Sequence, residues 1–342
     1  VVPDHWKEPV LKELRPHVDN NAPYRLQPLP CWFAGNEMRF LYRSRTLGLK
    51  APTDILVVEN GPGAFSYTQF LLAKRRYAPT AKAVFFTWWN LPYRARQPLR
   101  ALEQWNLRQS NGAIAGNQAA ADILRQQGFS GPILVLPQLG IDEQVFCPQS
   151  SAPIRASMGI PDNHFVVGYA GRFVPEKGLD LLWQAFCALP AAATLLLIGD
   201  GPQAEVIRRW QENAPLGKQV VLHRAVPHTE IARLFNALDV FVLPSRSTPF
   251  WLEQFGHVLI EAMACQIAVV GSSSAEIPNV IGAAGGIFPE GESLALQHIL
   301  TLLQQHPEQR ANWAAAGRKR VLAHYTHAQI ARQTVAFLQT LA

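Results

Sequence analysis

Phe165-Val166-Val167-Gly168-Tyr169-Ala170-Gly171-Arg172-Phe173-Val174-Pro175-Glu176-Lys177-Gly178, running on into Leu179 to Leu189, is the stretch from which the fold can be read. An apolar run without polar alternation comes first, then a short loop carrying glycine, proline and charge, then a helical pattern. A strand that does not alternate is buried on both faces, as in a parallel sheet covered by helices. Strand, loop and helix in that order make half of a parallel α/β unit.

The same rhythm extends in both directions. Downstream lie the apolar runs Thr194 to Ile198, Val220 to His223, Val240 to Leu243 and Ala268 to Val270. Upstream, from about residue 53, come Ile55 to Val58, Ala83 to Phe86, Ala113 to Ala115 and Ile133 to Leu136, with helical patterns over Leu99 to Arg108 and Gln118 to Gln127. The polar, proline-bearing stretch Pro148-Gln149-Ser150-Ser151-Ala152-Pro153 interrupts the march and reads as a linker. The expectation is an α/β protein of two doubly wound domains facing across a cleft. Residues 1–149 form one domain, with 326–342 packing back on it as a C-terminal helix, and residues 150–325 form the other. Val1-Val2-Pro3 reads like the tail of a strand without an initiator Met, so an earlier strand and helix are expected to precede it.

Composition supports two packed cores. The chain has 342 residues, 48% of them hydrophobic and 16% charged, too apolar for a disordered chain. The balance of 31 basic and 25 acidic residues leaves +6, which suits an anionic small ligand, an anionic membrane surface or plain solubility. No basic run interleaved with aromatics suggests nucleic acid as a partner. Cys31, Cys147, Cys187 and Cys265 lie far apart, in no spacing that suits a zinc site or a disulfide framework, and suggest a reducing, cytoplasmic setting. No run reaches the roughly 20 apolar residues of a membrane span.

Two constellations carry chemistry. In the first, Arg172 and Lys177 stand five positions apart on a strand-to-helix loop beside Gly171. There they could hold a diphosphate, Arg bidentately and Lys as a point charge; the plainer alternative is a solvated loop. In the second, Glu253-Gln254-Phe255-Gly256-His257-Val258-Leu259-Ile260-Glu261, two carboxylates flank an expected helix start at Phe255-Gly256. Unpaired amides at such a start favour an anion. Glu261 sits deep in an apolar helix, where a carboxylate needs donors. A ribose diol would supply them, and so would a structural bond to a neighbouring loop. Glu253 reads as an exposed loop carboxylate.

With these motifs assembled, the chain resembles the retaining glycosyltransferases of family 4, which adopt the GT-B fold. Arg172 with Lys177-Gly178 matches the family's pair of diphosphate-binding cations. Gly199-Asp200-Gly201-Pro202 matches its glycine turn, Asp239 to Ser245 the strand before the donor loop, and Glu253 with Glu261 the pair of glutamates eight positions apart. Leu139-Gly140-Ile141-Asp142 with Phe146 and Pro148 resembles the segment leading into the linker. The resemblance runs over nearly the whole chain from about residue 53.

What it implies is transfer of a sugar from a nucleotide-diphosphate sugar to a glycan, lipid-linked or small-molecule acceptor, as in polysaccharide biosynthesis. Configuration would be retained by front-face attack, without metal or cofactor. Arg172 and Lys177 would stabilise the leaving diphosphate and Glu253 would contact the transferred sugar. Gly171, Gly201, Phe255, Gly256, His257, Val258 and Glu261 would form the donor site. Gly61, Trp88, Trp89 and Asn90 are the acceptor-side candidates, against the plainer readings of a simple turn at Gly61 and core packing for at least one of the tryptophans, in a cytoplasmic protein able to touch the inner face of a membrane. The chain departs from the family at Trp89 or Asn90 in place of a histidine, at Arg224 in place of a glycine, and at Gln266 and Ala268 in place of glycine and proline. These departures keep open a catalytically silent binding protein. An epimerase on the same scaffold would need an acid–base set around the sugar, and the first domain shows no matching histidine–carboxylate cluster in its sequence. A dinucleotide oxidoreductase would need G-x-G-x-x-G, and Gly61-Pro62-Gly63-Ala64-Phe65-Ser66 ends in Ser66.

Overall fold

The structure is a computed structural model that describes residues 1–8, 12–19, 22–93, 95–190 and 192–342. The chain divides into two compact units, Val1–Gln138 with Gln333–Ala342, and Leu139–Arg332.

The first unit is built on a four-stranded parallel sheet. Its elements are β1 (Ile55–Val58), α1 (Phe65–Tyr77), β2 (Lys82–Thr87), α2 (Leu99–Gln109), β3 (Gly112–Ala115), α3 (Gln118–Gln126) and β4 (Ile133–Val135). The strands lie in sequence order across the sheet. Asn117 starts α3 by accepting the Ala120 amide at 2.8 Å, the bond that makes asparagine a good helix cap. Before the sheet come short pairings: Val2–Pro3 with Pro28–Leu29, Trp6–Glu8 with Lys12–Leu14, and Cys31–Trp32 with Leu41–Tyr42. Gln69 of α1 binds both backbone groups of Tyr42, accepting from its N–H at 2.9 Å and donating to its carbonyl at 2.7 Å. Trp6, Phe40, Tyr42 and Phe70 then stack edge to face, tying this segment to α1.

The second unit holds a six-stranded parallel sheet. Its elements are α4 (Ala152–Ser157), β5 (Phe165–Arg172), α5 (Leu179–Cys187), β6 (Ala193–Asp200), α6 (Ala204–Glu212), β7 (Lys218–His223), α7 (His228–Phe235), β8 (Val240–Leu243), α8 (His257–Ala264), β9 (Ala268–Ser272), α9 (Ile277–Ile281) and β10 (Gly286–Phe288), followed by α10 (Ser293–Gln305) and α11 (Pro307–His324). The strand order is β7-β6-β5-β8-β9-β10. The order reverses between β5 and β8, and the carboxyl ends of those strands are where a doubly wound sheet binds its ligand. Both strands are buried along nearly their whole length, which accounts for the unalternated apolar runs. Asp239 fixes the start of β8: its carboxylate accepts the Val166 amide at 2.8 Å and Arg155 Nη2 at 3.0 Å.

The expected linker Pro148–Pro153 lies within the second unit, where the Gln149 amide donates to Asn236 Oδ1 at 2.7 Å. The last helix, α12 (His327–Gln339), begins in the second unit, and its residues from Gln333 onward belong to the first.

At Gln266 the chain shows why a glycine would be easier. The residue follows α8 with φ +60°, while its amide donates to the Met263 carbonyl at 3.0 Å and the Ile267 amide to that of Ala262 at 3.1 Å. This is a left-handed helix stop, where a side chain carries a steric cost. Gln266→Gly is therefore expected to stabilise the fold by about 0.5–1 kcal/mol, read from urea unfolding. A loss of stability would mean that the exposed Gln266 side chain makes a contact outweighing the strain.

Candidate functional site

Lys177 and Glu253, 76 residues apart in sequence, meet at the carboxyl edge of the second sheet. Lys177 Nζ donates to Glu253 Oε2 at 2.6 Å, and Ser245 Oγ donates to the same oxygen at 2.9 Å. Ser245, at the exit of β8, is itself tied by Ser272 Oγ, which donates to its carbonyl at 2.6 Å. The reading of Glu253 as an exposed carboxylate is thus corrected: it is 8% exposed. Burying a carboxylate is costly unless it is paired and hydrogen-bonded, and here Lys177 and Ser245 do both.

Arg172 ends β5 and is treated differently. Its side chain is exposed, and among the described residues it has no hydrogen-bond or ion-pair partner, only its carbonyl accepting from Tyr169 Oη at 2.9 Å. The Tyr169 hydroxyl is pushed well above the ordinary tyrosine range, first by burial and then by the charge of Glu253, with Arg172 pulling the other way. Arg172 and Glu253 are therefore within electrostatic reach of one buried phenol. Gly171 is the last residue but one of β5 and Gly201 directly follows β6, and a Cβ on Gly201 would lie 2.6 Å from the Phe173 carbonyl oxygen.

Phe255-Gly256 does form the start of a helix. Gly256 caps α8 in the left-handed region, and no acidic residue occupies the first turn that His257 and Val258 begin, so the positive end of the helix dipole meets no carboxylate of its own turn. Phe255 is buried against Tyr325, with ring centroids 5.6 Å apart. His257 is half-buried, and desolvation lowers its pKa.

Glu261, one and a half turns into α8, is 7% exposed. Its Oε1 lies 2.9 Å from Nε2 of the exposed His228 at the start of α7. Burial raises its pKa, and the His228 hydrogen bond offsets part of that rise. The structure thus supplies one donor for the buried carboxylate that sequence reasoning missed. Nothing local could have signalled it, because His228 is 33 residues away.

Two further residues of this edge escaped the sequence reading. Trp251 lies with its ring 4.7 Å from Lys177 Nζ, and Phe250 beside it is 89% exposed.

In the first unit, Gly61, Trp88, Trp89 and Asn90 come together at the carboxyl ends of β1 and β2. A Cβ on Gly61 would lie 3.4 Å from Thr87 Oγ1, and that hydroxyl accepts the Trp89 amide at 3.2 Å. Trp88 lies across Gly116 and donates from Nε1 to Gln138 Oε1 at 3.2 Å, while Gln138 Nε2 donates to Glu59 at 2.7 Å. Trp89 is half exposed and meets Tyr93 edge to face, while Asn90 is buried. Tyr93 in turn donates to the buried Glu103, whose pKa burial raises.

Within the first unit, Asp4, His5 and Cys31 bring three donor atoms within 4.8 Å of one another, the one such grouping among the described residues. Their wide sequence spacing hid it. Three donors are one short of a closed structural zinc site, and His5 Nδ1 is already bonded to Asp4 at 2.7 Å. No described helix is long and apolar enough to cross a membrane.

The family model described as "Glycosyl transferases group 1" matches residues 150–320. A GDP-mannose-dependent monoacylated alpha-(1-6)-phosphatidylinositol monomannoside mannosyltransferase of Corynebacterium glutamicum is 30% identical over 196 residues, covering 55% of this chain and 51% of its own. A 2-deoxystreptamine N-acetyl-D-glucosaminyltransferase of Streptomyces fradiae is 29% identical over 215 residues, covering 56% and 49%. The chain spans about half the length of the curated relatives it matches. Among solved structures, Anabaena HepE in complex with UDP gives a TM-score of 0.69 at 21% identity, over 84% of this chain and 79% of that one. Sucrose-phosphate synthase from Thermosynechococcus elongatus gives 0.66 at 23%, over 83% and 73%. At these identities the likeness is one of fold, and it bears out the α/β, GT-B reading with two Rossmann-like units.

Proposed function

The chain belongs to the glycosyl transferases group 1 family, and from that premise we propose that it moves a sugar from a nucleotide-diphosphate sugar onto a glycan, glycolipid or small-molecule acceptor. The observation that carries this reading is the meeting of Lys177 with Glu253, which joins the two charged motifs at one sheet edge. In this proposal Arg172 and Lys177 stabilise the diphosphate as charge grows on it, and such groups act on the transition state more than on the ground state. Gly171, Gly201 and the amides around Phe255, Gly256, His257 and Val258 receive the phosphates, Glu261 binds the ribose, and Glu253 reads hydroxyls of the transferred sugar.

Retention by front-face attack, with a donor phosphate oxygen helping to take the acceptor proton, needs no protein nucleophile and no metal, and it belongs to this proposal. So does an acceptor role for Gly61, Trp88, Trp89 and Asn90, whose indoles and amide suit a hydroxylated ligand. The curated relatives act, by name, on phosphatidylinositol mannoside and 2-deoxystreptamine, which supports a lipid-linked or cyclic polyol acceptor. The excess of basic residues supports peripheral contact with an anionic membrane face on the cytoplasmic side.

Calorimetry and thermal unfolding with UDP and GDP test the donor site, and Glu261→Gln tests it most sharply. Because the folded pKa of Glu261 is raised above its ordinary value of 4.5, the ionised carboxylate is disfavoured by folding. Its contribution to stability falls as pH rises from that value towards the folded pKa. Glutamine removes the charge and can still accept from His228. The melting temperature at pH 7 is therefore expected to hold or rise. Nucleotide affinity should fall roughly 10–100-fold, the worth of a charged hydrogen bond. Unchanged affinity would take Glu261 out of the ribose site.

A further inference from the structure

Trp251 belongs to no motif, yet its position is built from both sides. The loop that carries it begins at Arg246, whose amide donates to the Glu176 carbonyl at 2.7 Å and whose Nη2 donates to Asp180 at 2.6 Å. Ser247 Oγ then donates to Glu290 at 2.8 Å. Thr248 and Trp251 close the loop as an antiparallel bridge, the Thr248 amide donating to the Trp251 carbonyl at 2.8 Å. The indole so fixed lies 4.7 Å from Lys177 Nζ, on a lysine whose ammonium is already bonded to Glu253 at 2.6 Å.

We propose that Trp251 is a positioning residue, whose indole face holds the Lys177 ammonium against Glu253 and presents it to the diphosphate of a nucleotide sugar. The inference rests on the donor-site reading above and adds to it the residue that orients its lysine. A lysine on four flexible methylenes does not hold a direction by itself. A second carboxylate would hold it by adding a full negative charge beside the phosphates. An aromatic face attracts the cation through its quadrupole and adds no net charge. Among the described residues Glu253 is the acceptor that Lys177 bonds, so the other two ammonium hydrogens are shared between the indole face and another anion. Ser245 holds the carboxylate end of the arrangement and Trp251 the ammonium end.

The test is a cycle of dissociation constants for UDP and GDP, measured by calorimetry on the wild type, Trp251→Leu, Trp251→Phe, Lys177→Gln and Trp251→Leu with Lys177→Gln. Trp251→Leu, which keeps apolar bulk and loses the π face, is expected to weaken binding roughly five- to thirty-fold, the range of a partly desolvated cation–π contact. Trp251→Phe restores a face and should recover most of that loss. In the Lys177→Gln background Trp251→Leu should change affinity less than about twofold, because the group it orients is gone. A merely structural tryptophan would weaken binding equally in both backgrounds, and that result overturns the proposal. Binding that Lys177→Gln weakens and Trp251→Leu does not also overturns this inference alone. Wild-type protein that binds neither nucleotide overturns the donor-site reading, and this inference with it.

Discussion

Arg172→Ala is expected to lower turnover of the donor roughly 10²–10³-fold, the usual cost of removing one preorganised charge stabiliser. The melting temperature should move by no more than about 1–2 °C. The two halves of this expectation come from one fact: the guanidinium is exposed, and no described residue accepts from it. Cutting it back leaves no buried group without a partner and no void, so the fold loses nothing. What the fold retains is the Tyr169 hydroxyl donating to the Arg172 carbonyl, which alanine keeps. In the proposed reaction the leaving diphosphate gains charge as the glycosidic bond breaks, and a planar fork can meet two of its oxygens at once. Arg172→Lys should then recover about tenfold of the loss, since it restores charge without the fork. Release of nucleotide from UDP-glucose and GDP-mannose, followed beside thermal unfolding, reads both quantities. Turnover that survives in Arg172→Ala would remove the residue from the site, and a large fall in melting temperature would make it structural.

Lys177 could not serve as so clean a probe. Its ammonium is bonded to a buried carboxylate, so its removal would leave the Glu253 charge without its cation, held by Ser245, and breaking such a pair by one partner is strongly destabilising. The same difference explains what was legible in the sequence. Arg172, Lys177, Gly256 and Glu261 could be placed because each lies in or beside a strongly apolar strand or helix with a glycine at its boundary. The strand cores, such as Val240–Leu243, were legible for the same reason: burial on both faces leaves a run without alternation. The strands before Ile55 were not, because pairings of two or three residues are too short to show a period. Glu253 was misread for a different reason. Its neighbours Leu252 and Gln254 look like a loop, and its burial is decided by Lys177 and Ser245, neither of which is adjacent to it. The His228 contact of Glu261 and the Trp251 contact of Lys177 are likewise tertiary facts. Periodicity identifies which residues lie on an element; it does not say which elements meet at its end.

The glycine at the carboxyl end of β6 supplies the second large effect, this time on stability. Gly199 has φ +149°, and a Cβ there would lie 1.9 Å from the Gly171 carbonyl oxygen and 3.1 Å from Phe173 Cε1. Gly199 stands opposite Gly171 in the β5–β6 register, so the last residues of the two strands meet backbone to backbone. No rotamer change can make room, because the nearest obstacle is main chain. Gly199→Ala must therefore push the two strand ends apart and also hold alanine in a region that L residues avoid. Together these are expected to cost roughly 3–5 kcal/mol, or about 6–20 °C in melting temperature. Gly159→Ala separates the two contributions. Gly159 has φ +64° with nothing within 4 Å of a built Cβ, so alanine there meets only the backbone strain, about 1–2 kcal/mol. If Gly199→Ala costs no more than Gly159→Ala in urea unfolding, the loops have slack that this packing denies. If it costs several times more, the ends of β5 and β6 are held at backbone contact. The direction in which Arg172 points is then fixed by a glycine 27 residues away, and Arg172 function should fail in Gly199→Ala even at temperatures where the variant remains folded.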